Sequence, residues 1–166
     1  TNRMHFQVIG VAVVAVPVVC GEHIDAFFNQ YKGKLLCGGL GRPEGMDKGY
    51  YARPTVFGDV NNQMRIAREE IFRPVLVIIP FDTEEEVLMM ANSTMYGLAG
   101  TIWTTNLNRA HRVADQLQSG IVWVNAWLVR DLRTPFGGVK ASGVGREGGF
   151  EGLDFFTEPK NVCIKF

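Results

Sequence analysis

The amino-acid sequence predicts an α/β fold, an open parallel sheet with flanking helices, closed by a C-terminal edge strand. Three observations predict it. From residue 61 onward, apolar runs of strand length alternate with segments whose apolar residues recur at helical spacing. Turn and cap signals separate them, among them Thr83 with Glu86, and the breaks at Gly97 and Gly120. The final KNVCIKF puts Val162, Ile164 and Phe166 on one face of an extended chain, with Lys160 and Lys165 as charges suited to an edge.

In chain order, VIGVAVVAVPVV (8–19) carries Gly10 and Pro17 and is too short for the roughly 20 apolar residues that cross a bilayer. Arg3 ahead of it also fits a signal-peptide h-region; a buried strand pair broken near Pro17 is the preferred reading. EHIDAFFNQY places Ile24, Phe27, Phe28 and Tyr31 at helical spacing, and KGKLLCGG follows as a short strand ending in glycines. Residues 40–54, rich in Gly, Pro and charge, read as a surface loop. NNQMRIAREEIF reads as a helix and PVLVIIPF (74–81) as a strand buried on both faces. TEEEVLMMANS is a capped helix and GTIWT a strand. NLNRAHRVADQLQSG forms a helix with Leu107, Ala110, Val113, Ala114 and Leu117 as one stripe and Gly120 at its C-terminal stop, before the strand GIVWVNA. Right-handed crossovers then give a parallel sheet, whose ligands sit beyond the carboxyl ends of the strands, where Asn125 and residues 126–136 lie.

Composition excludes several classes of function. With Lys plus Arg equal to Asp plus Glu, 46% apolar and 20% charged residues, the chain is neither disordered nor a nucleic-acid or membrane-coating polymer. Small-molecule partners fit better. Cys20, Cys37 and Cys163, odd in number and irregularly spaced, give no disulfide framework and fit a reducing, cytoplasmic compartment. Cys20, His23 and Cys37 lack the fourth ligand of a structural zinc, so no metal is expected; His5 and His111 have no motif around them.

PFGGVKASGVGREGG contains Gly143, Gly145 and Gly148 at the G-x-G-x-x-G spacing of a dinucleotide loop. Such a loop needs a strand before it, a helix after it and a ribose-binding acid about 20 residues on. Only 18 residues follow Gly148, and the last of them read as a strand without that acid. The glycines therefore read as left-handed positions in a tight loop tied down by Arg146 and Glu147.

Taken together, EEIFRPV, ANSTMYGLAGTIWT, NRAHRVADQLQSGIVWVN and PFGGVKASGVGREGG resemble the C-terminal part of the aldehyde dehydrogenase superfamily, across about residues 34–166 and weakly back to Pro17. WLVRDLRTPFGG is similar to the branch that oxidises 2-hydroxymuconic or 2-aminomuconic semialdehydes. The resemblance implies a partial catalytic domain over 34–149, an oligomerisation segment over 150–166 and an unplaced 1–33, with residues 1–16 matching nothing. It implies NAD as cofactor, an aldehyde as substrate and a homo-oligomer as the assembly. By motif position Glu70 would hold the nicotinamide ribose and Phe72 would pack on the nicotinamide ring, while Arg73 stands where the family usually has Gly. Read without the resemblance, Glu69 and Glu70 are solvated helix-end acids and Phe72 is core.

On the substrate side the resemblance places Asn125 near the active site and Phe136 on the aldehyde tunnel, with Trp127 and Leu128 walling it. Arg130 and Arg133 offer the forked guanidinium that a carboxylate-bearing semialdehyde suits, unless Asp131 and the sheet rim absorb both. The family's nucleophilic cysteine in G-Q-x-C and its base in E-L-G-G-K do not occur in this sequence. Cys20, just ahead of the Glu22 helix and His23, is the one candidate for a relocated thiolate. Three functions compete: the C-terminal portion of an NAD-dependent semialdehyde dehydrogenase, inactive as this chain alone; a non-catalytic truncated homologue acting as an assembly module; and, third in order, a small-ligand binder that uses the tunnel wall without chemistry.

Overall fold

The structure, a computed structural model, describes residues 33–71 and 73–166. The expectations for 8–31, including Cys20 and the Glu22 helix, fall outside them.

The fold is α/β, but the strands form two sheets. In the first, β1 (Lys34–Cys37) pairs antiparallel with β2 (Thr55–Gly58), which pairs parallel with β3 (Val75–Val77). In the second, β4 (Ala99–Ile102) pairs parallel with β5 (Ile121–Val124). Three elements differ from expectation. The sequence pattern does not mark TVFG as a strand, yet it is the centre of the first sheet, with Thr55, Phe57 and Gly58 buried. β3 keeps three half-buried residues of the expected eight, because its partner β2 offers four and Pro74 and Pro80 bracket it without N–H donors. KNVCIKF pairs with no strand among the described residues, as an edge strand needs a ladder partner to form.

Of NNQMRIAREEIF, only one turn is helical, α1 (Arg65–Arg68), since Met64 brings no side-chain cap, Ile66 alone is buried, and Glu69 turns extended. The cap of α2 (Glu84–Asn92) is as expected: Thr83 Oγ1 accepts from the Glu86 amide at 3.1 Å, and Glu86 accepts from the Asp82 amide at 2.8 Å. Asn106 caps α3 (Leu107–Gln116), accepting from the Arg109 amide at 3.0 Å. Ala110 and Val113 bury its stripe while Leu107, on the first turn, stays exposed. Two small cores result: Phe57, Val60 and Ile66 under the first sheet, and Leu88, Ile102 and Val113 between α2, α3 and the second.

Gly120 is not the helix stop, for α3 ends at Gln116 with Leu117 as its C-cap. Its constraint is proximity: a Cβ there would stand 1.7 Å from the Gly137 carbonyl oxygen. The glycine-rich stretch is a tight loop leading into α4 (Gly149–Phe156). Gly148 and Gly149 take left-handed φ angles of 82° and 58°, and Arg146 Nη1 donates to the Gly138 and Gly145 carbonyls at 2.7 and 2.8 Å.

Glu84 joins α2 to α3, accepting from Arg112 at 2.5 and 2.8 Å with Arg109 at 3.4 Å. Hydrogen bonding from Arg112 leads in holding its carboxyl below the ordinary value of 4.5. The stabilisation is present above 4.5 and is lost as pH falls through the depressed native value. Glu84→Gln should therefore lower the urea midpoint at neutral pH, and the gap from wild type should shrink in acid; a gap constant with pH contradicts the assignment.

Candidate functional site

The carboxyl ends of β4 and β5 are locked by one side chain. Asn125 follows β5 with φ 51°, a left-handed angle that asparagine tolerates better than most residues. Its amide N–H continues the ladder to the Ile102 carbonyl at 2.8 Å. Its side-chain Oδ1 accepts from the Thr104 amide at 2.8 Å, and its Nδ2 donates to the Thr104 carbonyl at 2.7 Å. Beside it the buried Thr101 hydroxyl donates to the Ala126 carbonyl at 2.9 Å.

From this anchor the next residues run outward over an aromatic base. The buried Trp123 donates through Nε1 to the Val129 carbonyl at 2.7 Å, and Trp127 meets it edge to face at 5.2 Å. Trp127 and Leu128 are exposed, Leu128 with a left-handed φ of 57°. The Arg130 guanidinium lies 4.0 Å above the Phe136 ring, with Nη2 donating to Glu147 Oε1 at 2.6 Å. Phe136 and Glu147 in turn exchange both main-chain hydrogen bonds, each at 2.8 Å.

The two arginines part company here. Arg133 Nε donates to both Asp131 carboxylate oxygens, at 2.9 and 3.1 Å. That pairing lowers the Asp131 pKa and raises that of Arg133. Its fork is engaged in its own turn, and its side chain is 88% exposed. Asp131 thus absorbs one arginine and leaves Arg130 against the aromatic wall. Glu147 was legible only as a loop tie; its pairing across 17 residues has no local signal.

Asn125, Trp127, Arg130 and Phe136 lie on the stretch that follows β5, and of them the structure brings Arg130 and Phe136 into contact. Glu70 is not joined to them: it lies exposed beyond α1, with no hydrogen bond or ion pair among the described residues connecting it to that loop. Phe72 and Cys20 fall outside the described residues, while Cys37 and Cys163 are free and exposed. An open groove of about 900 Å³ lies between the 39–53 loop and Arg73, and among the described residues it holds none of the expected site residues. Its arginines brace the loop, Arg53 donating to the Arg42 carbonyl at 2.7 Å and Arg42 to the Gly49 carbonyl at 3.1 Å.

The profile of the aldehyde dehydrogenase family matches residues 22–162. The chain belongs to that family. It is 46% identical to a 2-aminomuconic 6-semialdehyde dehydrogenase of Pseudomonas sp. and 47% identical to a 2-hydroxymuconic semialdehyde dehydrogenase of Pseudomonas sp. (strain CF600), each match covering 90% of this chain and 32% of the relative. Among solved structures it is similar to a P. syringae indole-3-acetaldehyde dehydrogenase mutant in complex with NAD+ and IAA, with a TM-score of 0.78 at 45% identity over 87% of this chain and 29% of that one. The chain thus spans about a third of the length of the curated relatives it matches.

For this aldehyde dehydrogenase chain, the geometry makes Asn125 structural as well as near the loop. Asn125→Ala removes both bonds to Thr104 and puts at a left-handed angle a residue that tolerates it less well than asparagine. Chemical denaturation should show a loss of about 2 kcal/mol, with Asn125→Gly losing less because glycine accepts the angle. Equal losses contradict the backbone part of this account.

Proposed function

We propose that this chain is the C-terminal portion of an NAD-dependent aldehyde dehydrogenase that oxidises a muconic-type semialdehyde to the carboxylic acid in the cytoplasm. One observation carries the substrate class: within WLVRDLRTPFGG, the stretch that follows the carboxyl end of β5, the Arg130 guanidinium rests on the Phe136 ring. A guanidinium there binds a carboxylate that a plain aldehyde lacks. The identity of 46–47% to muconic semialdehyde dehydrogenases over 90% of the chain supports the same class. Trp127 and Phe136 supply the tunnel wall, and Arg133, turned on Asp131, stays outside it.

Bound NAD supplies the hydride acceptor. Toward it Glu70 presents an exposed carboxylate, engaged by no hydrogen bond or ion pair among the described residues and able to accept from two ribose hydroxyls. Phe72 is the ring-packing partner in this reading. The partition into catalytic residues 34–149 and an oligomerisation segment over 150–166 belongs to the same proposal.

The complete dehydrogenase carrying this chain should generate NADH absorbance from NAD and 2-hydroxymuconic semialdehyde. Arg130→Ala should raise KM for that aldehyde about tenfold while leaving KM for a carboxylate-free aldehyde unchanged. Absence of turnover, or equal changes for both aldehydes, contradicts the reading.

A second reading, an assembly module without catalysis, draws on the exposed tail, where Val162, Ile164 and Phe166 stand open beside α4 with its exposed Phe150 and Phe156. Both readings expect a homo-oligomer. Light scattering on the intact chain should give a dimer or larger, and a strict monomer contradicts this part.

A further inference from the structure

We propose that Glu147 is a specificity-determining positioning residue, holding the Arg130 guanidinium flat on the Phe136 ring so that the cation meets the carboxylate of an acidic aldehyde. The inference rests on the reading of Arg130 given above and adds a residue to it.

Three contacts close on one another. The Glu147 carboxylate accepts from Arg130 at 2.6 Å, the Arg130 guanidinium covers the Phe136 ring at 4.0 Å, and the Phe136 and Glu147 main chains exchange two hydrogen bonds. The carboxylate is therefore fixed to the very residue whose ring it pins the arginine against. Gly148, immediately after, takes φ 82° with a Cβ position 2.6 Å from the Thr134 carbonyl oxygen, so the turn that presents Glu147 accepts only glycine.

The pair does little for stability, because its side chains are 35% and 61% exposed and solvent screens such pairs. Its effect is directional. A free arginine side chain samples many rotamers; here the ring sets the plane and the carboxylate sets the rotation. Glu147 engages one of five N–H donors, leaving the rest of the fork for an incoming carboxylate. Asp131, nearer in sequence, is occupied by Arg133 and does not compete.

Steady-state kinetics of the complete dehydrogenase test the role, with 2-hydroxymuconic semialdehyde and a straight-chain aldehyde lacking a carboxylate. Glu147→Ala should raise KM for the acidic aldehyde by about fivefold, with kcat within about twofold and KM for the neutral aldehyde unchanged. Glu147→Gln, which keeps an acceptor oxygen, should raise it by about twofold, readable even if the alanine variant folds poorly. An unchanged KM for the acidic aldehyde, or a parallel rise for both, overturns the proposal. If Arg130→Ala raises KM and neither Glu147 variant does, only the role of Glu147 falls. If Arg130→Ala has no effect, the reading of Arg130 falls and this one with it.

Discussion

Two hydrogen bonds between the Asn125 amide and the Thr104 main chain fasten the carboxyl ends of β4 and β5 to each other, and everything after residue 125 is built out from that joint. Main-chain pairing alone ends at Ile102 and the Asn125 amide N–H. The side chain adds the next rung while its left-handed backbone turns the chain away from the sheet. Because the turn is set there, Trp127 comes back against Trp123, Val129 reaches the Trp123 indole, and Arg130 arrives over Phe136. The cation is placed by a rigid strand end rather than by its own flexible stem.

The first sheet and its groove stand apart from this arrangement. Their residues form a separate core around Phe57, and the 39–53 loop is braced internally by its arginines. Much apolar side chain remains at the surface, including Tyr50, Met89, Trp127, Phe150 and Phe156.

What was legible in the sequence was local. Thr83 with Glu86, and the stripe through Ala110 and Val113, announce their helices because cap and stripe lie within a few residues of each other. Strand β2 was not legible: TVFG is four residues long, and its burial comes from β1 and β3, whose contacts lie about 20 residues away on either side. Gly120 has the spacing of a helix stop, yet its constraint is the Gly137 carbonyl, visible only in three dimensions. At the site, residue types gave the aromatics and both arginines, and Asp131 was a visible sink for one of them. Which arginine it takes depends on a turn two residues long, and the partner of the other lies 17 residues downstream.

A crystal structure of a complete dehydrogenase carrying this chain, with the acid product of the proposed semialdehyde bound, tests the central claim most directly. A product carboxylate within hydrogen-bonding distance of the Arg130 guanidinium, with that group still resting on Phe136, is the expected result. A carboxylate held elsewhere, with the loop from Trp127 to Phe136 turned away from the bound acid, would contradict it.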